Sequence, residues 1–210
     1  LENKPDKAAP PAAGLRLGVQ RADGIVGHYS QADARRAQFL LQRCDPRTMF
    51  RSGPIVIGVF NPFTVLNADE VCWISVETGA DSGLQPAQHL PEGIDHVRVL
   101  PGRVEYEALL ARQWPKWRRA NATPPDSDLL EALLEVNFRG AEPLFLHVLG
   151  KVTKTPLVDT LFGEPAIAAA FGHSGMVYIN TRCMVRARLY HSKAEVNYPD
   201  GIWMAEADDI

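Results

Sequence analysis

Hydrophobic and polar residues alternate most cleanly between Met176 and His191. One set of every-second residues is Val177, Ile179, Thr181, Cys183, Val185, Ala187 and Leu189; the other is Met176, Tyr178, Asn180, Arg182, Met184, Arg186, Arg188 and Tyr190. Side chains of a β-strand point alternately to its two faces, so the pattern predicts one long amphipathic C-terminal strand with one face in a core. Its length leaves room for a bend or a bulge. Glu195–Met204 is expected to pair with it through a turn around Ser192–Ala194.

Ile55–Phe60, Val71–Val76 and Leu144–Leu149 are instead apolar on both faces, as expected of interior strands covered on both sides. Leu15, Leu17 and Val19 predict a short first strand, and Val97 with Val99 another before the Pro101-Gly102 turn. The connection from Asn61 to Glu70 has room for a helical turn, and Gly79–Gly93 reads as a long loop.

Helical spacing first appears after Ser30, an N-cap candidate with Asp33 three residues on; Ala37, Leu40, Leu41 and Cys44 then form one stripe that ends before Pro46. Arg35, Arg36 and Arg43 fall on its solvated face. A second helix carries Tyr106, Leu109, Leu110 and Gln113 and should stop or kink at Pro115, which lacks an N–H and disfavours the α conformation at Trp114. After a linker at Asn121–Pro125, Asp126 or Ser127 caps a third, with Leu130, Leu133, Leu134 and Phe138 inward and Glu131 and Glu135 on its edge. Pro165 and Gly172 frame a short apolar helix, Ala166–Phe171. The expected architecture is a single α/β domain: a mixed central sheet flanked by helices, with the long amphipathic strand toward one side.

Composition refines this picture. With 210 residues, 46% hydrophobic and 22% charged, the chain suits one globular domain. The expected organisation is a flexible Ala/Pro-rich tether at residues 1–14, the α/β domain at 15–205 and an acidic tail at 206–210. Such a tether suggests either a periplasmic ectodomain below an upstream membrane anchor or a soluble cytoplasmic domain of a longer protein. The sequence contains no run of about 18 apolar residues that would cross a bilayer. A net charge of −3 gives no overall basic character, so nucleic-acid binding is not favoured. Cys44, Cys72 and Cys183 are an odd number without a C-x-x-C, which predicts reduced thiols, with one bridge plus a free thiol as the alternative.

No catalytic signature emerges. Gly172-His173-Ser174-Gly175 is similar to a nucleophile elbow, but its second glycine comes one place early and the expected order is helix then strand, so no following helix would aim its amides at an oxyanion. The six histidines show no zinc-site spacing, and His147, in a buried-strand pattern, reads as a satisfied core residue. No glycine-rich phosphate loop is present, and no cofactor or metal is expected. Trp114-Pro115-Lys116-Trp117-Arg118-Arg119 mixes aromatics with cations and reads first as tryptophans packed under a helix end.

The function expected is a non-enzymatic protein–protein interaction domain, an adaptor or accessory of a bacterial envelope or secretion assembly, binding an acidic protein partner. Its surface would comprise Arg182, Arg186, Arg188 and Tyr190, with Trp114 and Trp117. The alternative is a hydrolase whose site is assembled from the distant His147, His173 and Ser174. Oligomeric state is open, because the long strand at an edge would also pair with a second chain.

Overall fold

The computed structural model describes residues 14–51, 53–58, 63–120, 128–172 and 174–192, apart from the side chains of 118–120. In chain order the elements are β1 (Leu15–Arg21), β2 (Val26–Gln31), α1 (Ala34–Arg43), β3 (Ile55–Gly58), β4 (Phe63–Leu66), β5 (Val71–Thr78), β6 (Ile94–Val99), α2 (Arg103–Ala120), β7 (Leu129–Phe138), β8 (Leu144–Lys151), α3 (Leu157–Phe162), β9 (Ala166–Phe171), β10 (Gly175–Asn180) and β11 (Met184–His191). Short 3₁₀ turns at Ala68–Glu70 and Thr181–Cys183 lead into β5 and β11. Nine strands form one sheet in the order β11-β7-β8-β6-β9-β10-β5-β1-β2, and β3 and β4 form a separate hairpin. The sheet is mixed through one parallel pair, β6 with β9. The fold is therefore strand-rich, rather than the helix-flanked α/β sheet expected.

The long C-terminal strand is two strands. β10 lies between β9 and β5, whereas β11 lies at the sheet edge beside β7, five places away in the order. In a flat sheet five spacings would be about 24 Å. The chain has only the turn Thr181–Cys183 to make the step, about 14 Å at full extension. The sheet must curl, and its cross-contacts agree. Trp73 of β5 meets Phe138 of β7 with ring centroids 5.1 Å apart. The β7–β8 turn at Gly140 abuts the β1–β2 turn at Ala22.

Curling gives the sheet an inner core, where Val97, Leu134, Leu146, Val148, Ala169 and Ile179 pack with Leu157 and Leu161 of α3. Two further cores sit on other faces. Leu15, Leu17, Ile74, Val76 and Tyr178 pack under Ala37 and Leu41 of α1 and under Ile57 and Leu66 of the β3–β4 hairpin. Leu133 and Phe145 pack under Tyr106 and Trp117 of α2.

Several sequence expectations fail for identifiable reasons. Ser30 belongs to β2, and the cap of α1 is Asp33, whose carboxylate accepts from the Arg36 N–H; the stripe Ala37, Leu41 and Cys44 is buried as expected. Ile55–Gly58 is not interior, because it pairs only with β4 and leaves Val56 57% exposed; residues 59–60 lie outside those described. Pro115 does not end α2, which continues to Ala120. An interior proline costs a helix roughly 3 kcal/mol, and here the buried Trp117 beyond it anchors the last turns to the sheet.

The helix expected over Leu130–Phe138 is β7, and that expected over Ala166–Phe171 is β9. Both lie inside the sheet, where ladder pairing with two neighbours overrides local propensity. The strands at Leu15, Val71, Val97 and Leu144, the loop after Gly79 and the turn near Asp69 appear where expected. The caps at Asp126 or Ser127 and the segment Glu195–Met204 lie outside the described residues.

Candidate functional site

The expected partner-binding residues fall in three places. Arg186 and Arg188 are exposed on β11, with Arg188 opposite Glu135 of β7. Tyr190 is on the same strand and meets Trp114 of α2 nearly edge-on, centroids 5.1 Å apart. Arg182 is apart from them, in the 3₁₀ turn, paired with Asp69 at 3.1 Å. Trp117 is only 5% exposed and belongs to the core under α2. The structure thus brings together Arg186, Arg188, Tyr190 and Trp114, and separates Arg182 and Trp117 from that surface.

His147 lies on β8 beneath α2 with both ring nitrogens occupied. Arg98 Nε donates to Nδ1 at 3.2 Å, which leaves Nε2–H to donate to Glu131 Oε1 at 2.8 Å. Gln113 of α2 adds a bond to the same carboxylate oxygen. Glu135, four residues along β7, is buried against Arg103. The two glutamates expected on a solvated helix edge therefore act as internal acceptors joining α2 to the sheet. Ser174 belongs to another group. It sits in the β9–β10 turn, where its hydroxyl donates to the Thr78 carbonyl and Thr78 returns a bond to the Ser174 carbonyl. No hydrogen bond links His147 to Ser174, and His173 lies outside the described residues.

A groove of about 800 Å³ lies between α1 and β3. Leu15, Leu17 and Ile74 form its floor, with Tyr29, Leu40 and Ile55 on its walls. Arg35, Arg36 and Arg43 are the charged residues along it, and no carboxylate is among the described residues that line it. Phe39, 58% exposed, stands on the helix between them, and the Arg43 guanidinium lies 5.2 Å from its ring centroid. The groove is wide, apolar at its base and cationic at its edge. Its thiol, Cys44, is pushed up to about 12 by burial and stays protonated. The sequence pattern assigned the three arginines to a solvated helix face; the overlooked signal was Phe39, an aromatic off the buried stripe.

No protein-family model, curated protein or solved structure matches the chain.

What the site can do must therefore be read from its own residues. Among those described, no group of three or more His, Cys, Asp or Glu is arranged to hold a metal ion, and no helix is long and apolar enough to cross a membrane. The groove has the shape and size of a binding site, with no acid–base pair directed into it.

Proposed function

We propose that this is a non-enzymatic protein-interaction domain, an adaptor or accessory that takes an acidic, amphipathic segment of a partner protein into the groove between α1 and β3. The groove's composition carries this reading: an apolar floor next to exposed Phe39 and Val56, with arginine the only charged residue type among the described lining residues. Apolar anchors would supply the affinity, and the cationic edge would select for acidic flanks and speed association. The Ala/Pro-rich composition of residues 1–14 suits a domain carried on a tether, and a bacterial envelope or secretion assembly is the setting proposed on that account.

Arg186 and Arg188 on β11 are the competing surface, and one experiment separates the two. Affinity capture would compare the native chain with Phe39→Asp/Val56→Asp and with Arg186→Glu/Arg188→Glu. Phe39 and Val56 are both more than half exposed, so the groove variant should fold. The expected result is a captured partner whose affinity falls at least about tenfold in the groove variant, falls with salt, and holds in the β11 variant. Loss confined to the β11 variant moves the site there. Failure of the native chain to capture any partner overturns the function.

A further inference from the structure

The corner where β10 hands over to β11 brings two cysteines together. Cys183 ends the 3₁₀ turn Thr181–Cys183 and is partly exposed, while Cys72, the second residue of β5, is fully buried. Both thiols pack in the same inner core, and Asn180 Nδ2 bonds both the carbonyl of Val71, the residue before Cys72, and Cys183 Sγ. Cys72 reaches this position through an irregularity in its strand. On the β1 side Gln20 opposes Trp73 but Arg21 opposes Val71, so Cys72 is an extra, unpaired residue. Such a bulge re-aims a side chain. Strict alternation would put Cys72 with Ile74 and Val76 under α1; instead it lies in the inner core with Cys183 beside it.

The surroundings hold Cys183 in place. The fully buried Asn180 donates to the carbonyls of Ala68 and Val71, both at 2.9 Å, and to Cys183 Sγ at 3.3 Å. Cys183 Sγ in turn donates to the Asp69 carbonyl at 2.9 Å, and Arg182 pairs with the Asp69 carboxylate. The neighbouring Cys72 thiol holds the Cys183 thiol below its ordinary pKa, against the opposing effects of burial and of Glu70 and Asp69. The proximity of Cys183, followed by burial, raises the pKa of Cys72. A more acidic, accessible thiol backed by a second thiol is the arrangement of a redox-responsive pair.

We propose that Cys183 and Cys72 form a peroxide-sensitive dithiol, with Cys183 the sulfur oxidised first and Cys72 the sulfur that resolves it into an intramolecular disulfide. The Cys183 thiolate attacks one oxygen of a hydroperoxide, the O–O bond breaks, and Cys183 becomes a sulfenic acid as the other oxygen leaves and is protonated to water or an alcohol. Loss of the thiolate's negative charge removes the interaction that held the proton on Cys72. The Cys72 sulfur then displaces the sulfenic oxygen as water and the S–S bond forms. The two thiols give up two electrons and two protons, and one hydroperoxide is reduced. The bridge would tie the start of β5 to the β10–β11 corner, across the place where the sheet curls. Cys44, buried under α1 and apart from this corner, is the internal control.

The test exposes the native chain to hydrogen peroxide, alkylates it under denaturing conditions and maps its peptides. The expected product is a Cys72–Cys183 linked peptide that dithiothreitol reverses, with Cys44 still alkylated. The oxidised protein should also unfold at higher denaturant than the reduced one. In Cys72→Ala the reaction should stop at a Cys183 sulfenic acid that dimedone traps, and in Cys183→Ala Cys72 should stay reduced. All three thiols unmodified in the native chain, Cys183 driven to sulfinic acid without a bridge, or bridges only between separate chains would each overturn the proposal. The native-chain map gives this answer even if a variant fails to fold.

Discussion

Asn180 shows how much one polar side chain determines. It lies on the face that simple alternation marks as wet, yet it is 0% exposed. Its Oδ1 accepts from the Arg182 N–H and so caps the 3₁₀ turn, while its amide nitrogen serves the carbonyls of Ala68, which opens the opposing turn, and of Val71, which follows it. A buried carbonyl left without a donor costs about 1–3 kcal/mol. Asn180→Ala takes the amide donor from Val71, while the Ala68 carbonyl keeps the Val71 N–H, and it uncaps the 3₁₀ turn, so we expect a loss of about 1–3 kcal/mol, read as a lower urea midpoint at unchanged slope. No alternation pattern reveals such a role, because the partners Ala68 and Val71 are more than a hundred residues away. Glu131 and Glu135 are similar: as letters they look like surface charge, but bonds from His147 and Gln113 to Glu131 and from Arg103 to Glu135 draw them under α2.

At the scale of elements, β7 is instructive because its sequence fits two periods. Leu130, Leu133, Leu134 and Phe138 have helical spacing, but Leu130, Ala132, Leu134, Val136 and Phe138 also alternate, and the latter set faces the inner core. The strand reading was therefore present in the sequence but not unique. In α2 the question is the opposite one, why a helix survives its proline. If Trp117 holds the segment against Leu133 and Phe145, then Pro115→Ala should raise stability by about 1–3 kcal/mol, as a helix penalty is removed with the anchor intact. Trp117→Ala should lower it by about 3–5 kcal/mol. Denaturant titrations of both variants check the pair; destabilisation by Pro115→Ala would show that the ring contributes more through packing than it costs the helix.

For the whole molecule, the decisive feature is the curl that brings distant turns together. Gly140, in the β7–β8 turn, has φ +63°, and a β-carbon there would run into the Ala22 carbonyl of the β1–β2 turn. Gly83 has nearly the same φ, +64°, with no atom within 4 Å of its would-be β-carbon. Left-handed strain alone costs about 1 kcal/mol. Gly83→Ala should therefore cost about that much, and Gly140→Ala clearly more, about 2–4 kcal/mol, because the rim of the sheet must open as well. Equal thermal shifts for the two variants would count against a tightly closed rim.

The sequence by itself determined the strands at Leu15–Val19 and Val97–Val99, the apolar strands at Val71 and Leu144, the stripe of α1 and the long loop after Gly79. Those features depend on local periodicity and on residues that punctuate the backbone, and both are properties of neighbours in the chain. The tertiary structure decided the rest. It broke the run Met176–His191 into a central and an edge strand, turned two apolar stretches from expected helix to strand, and buried Trp117. It also placed Phe39 with Val56 along one groove and Cys72 beside Cys183. Each of those outcomes depends on pairing and packing between residues remote in sequence, whose free energy appears only when the sheet closes on itself.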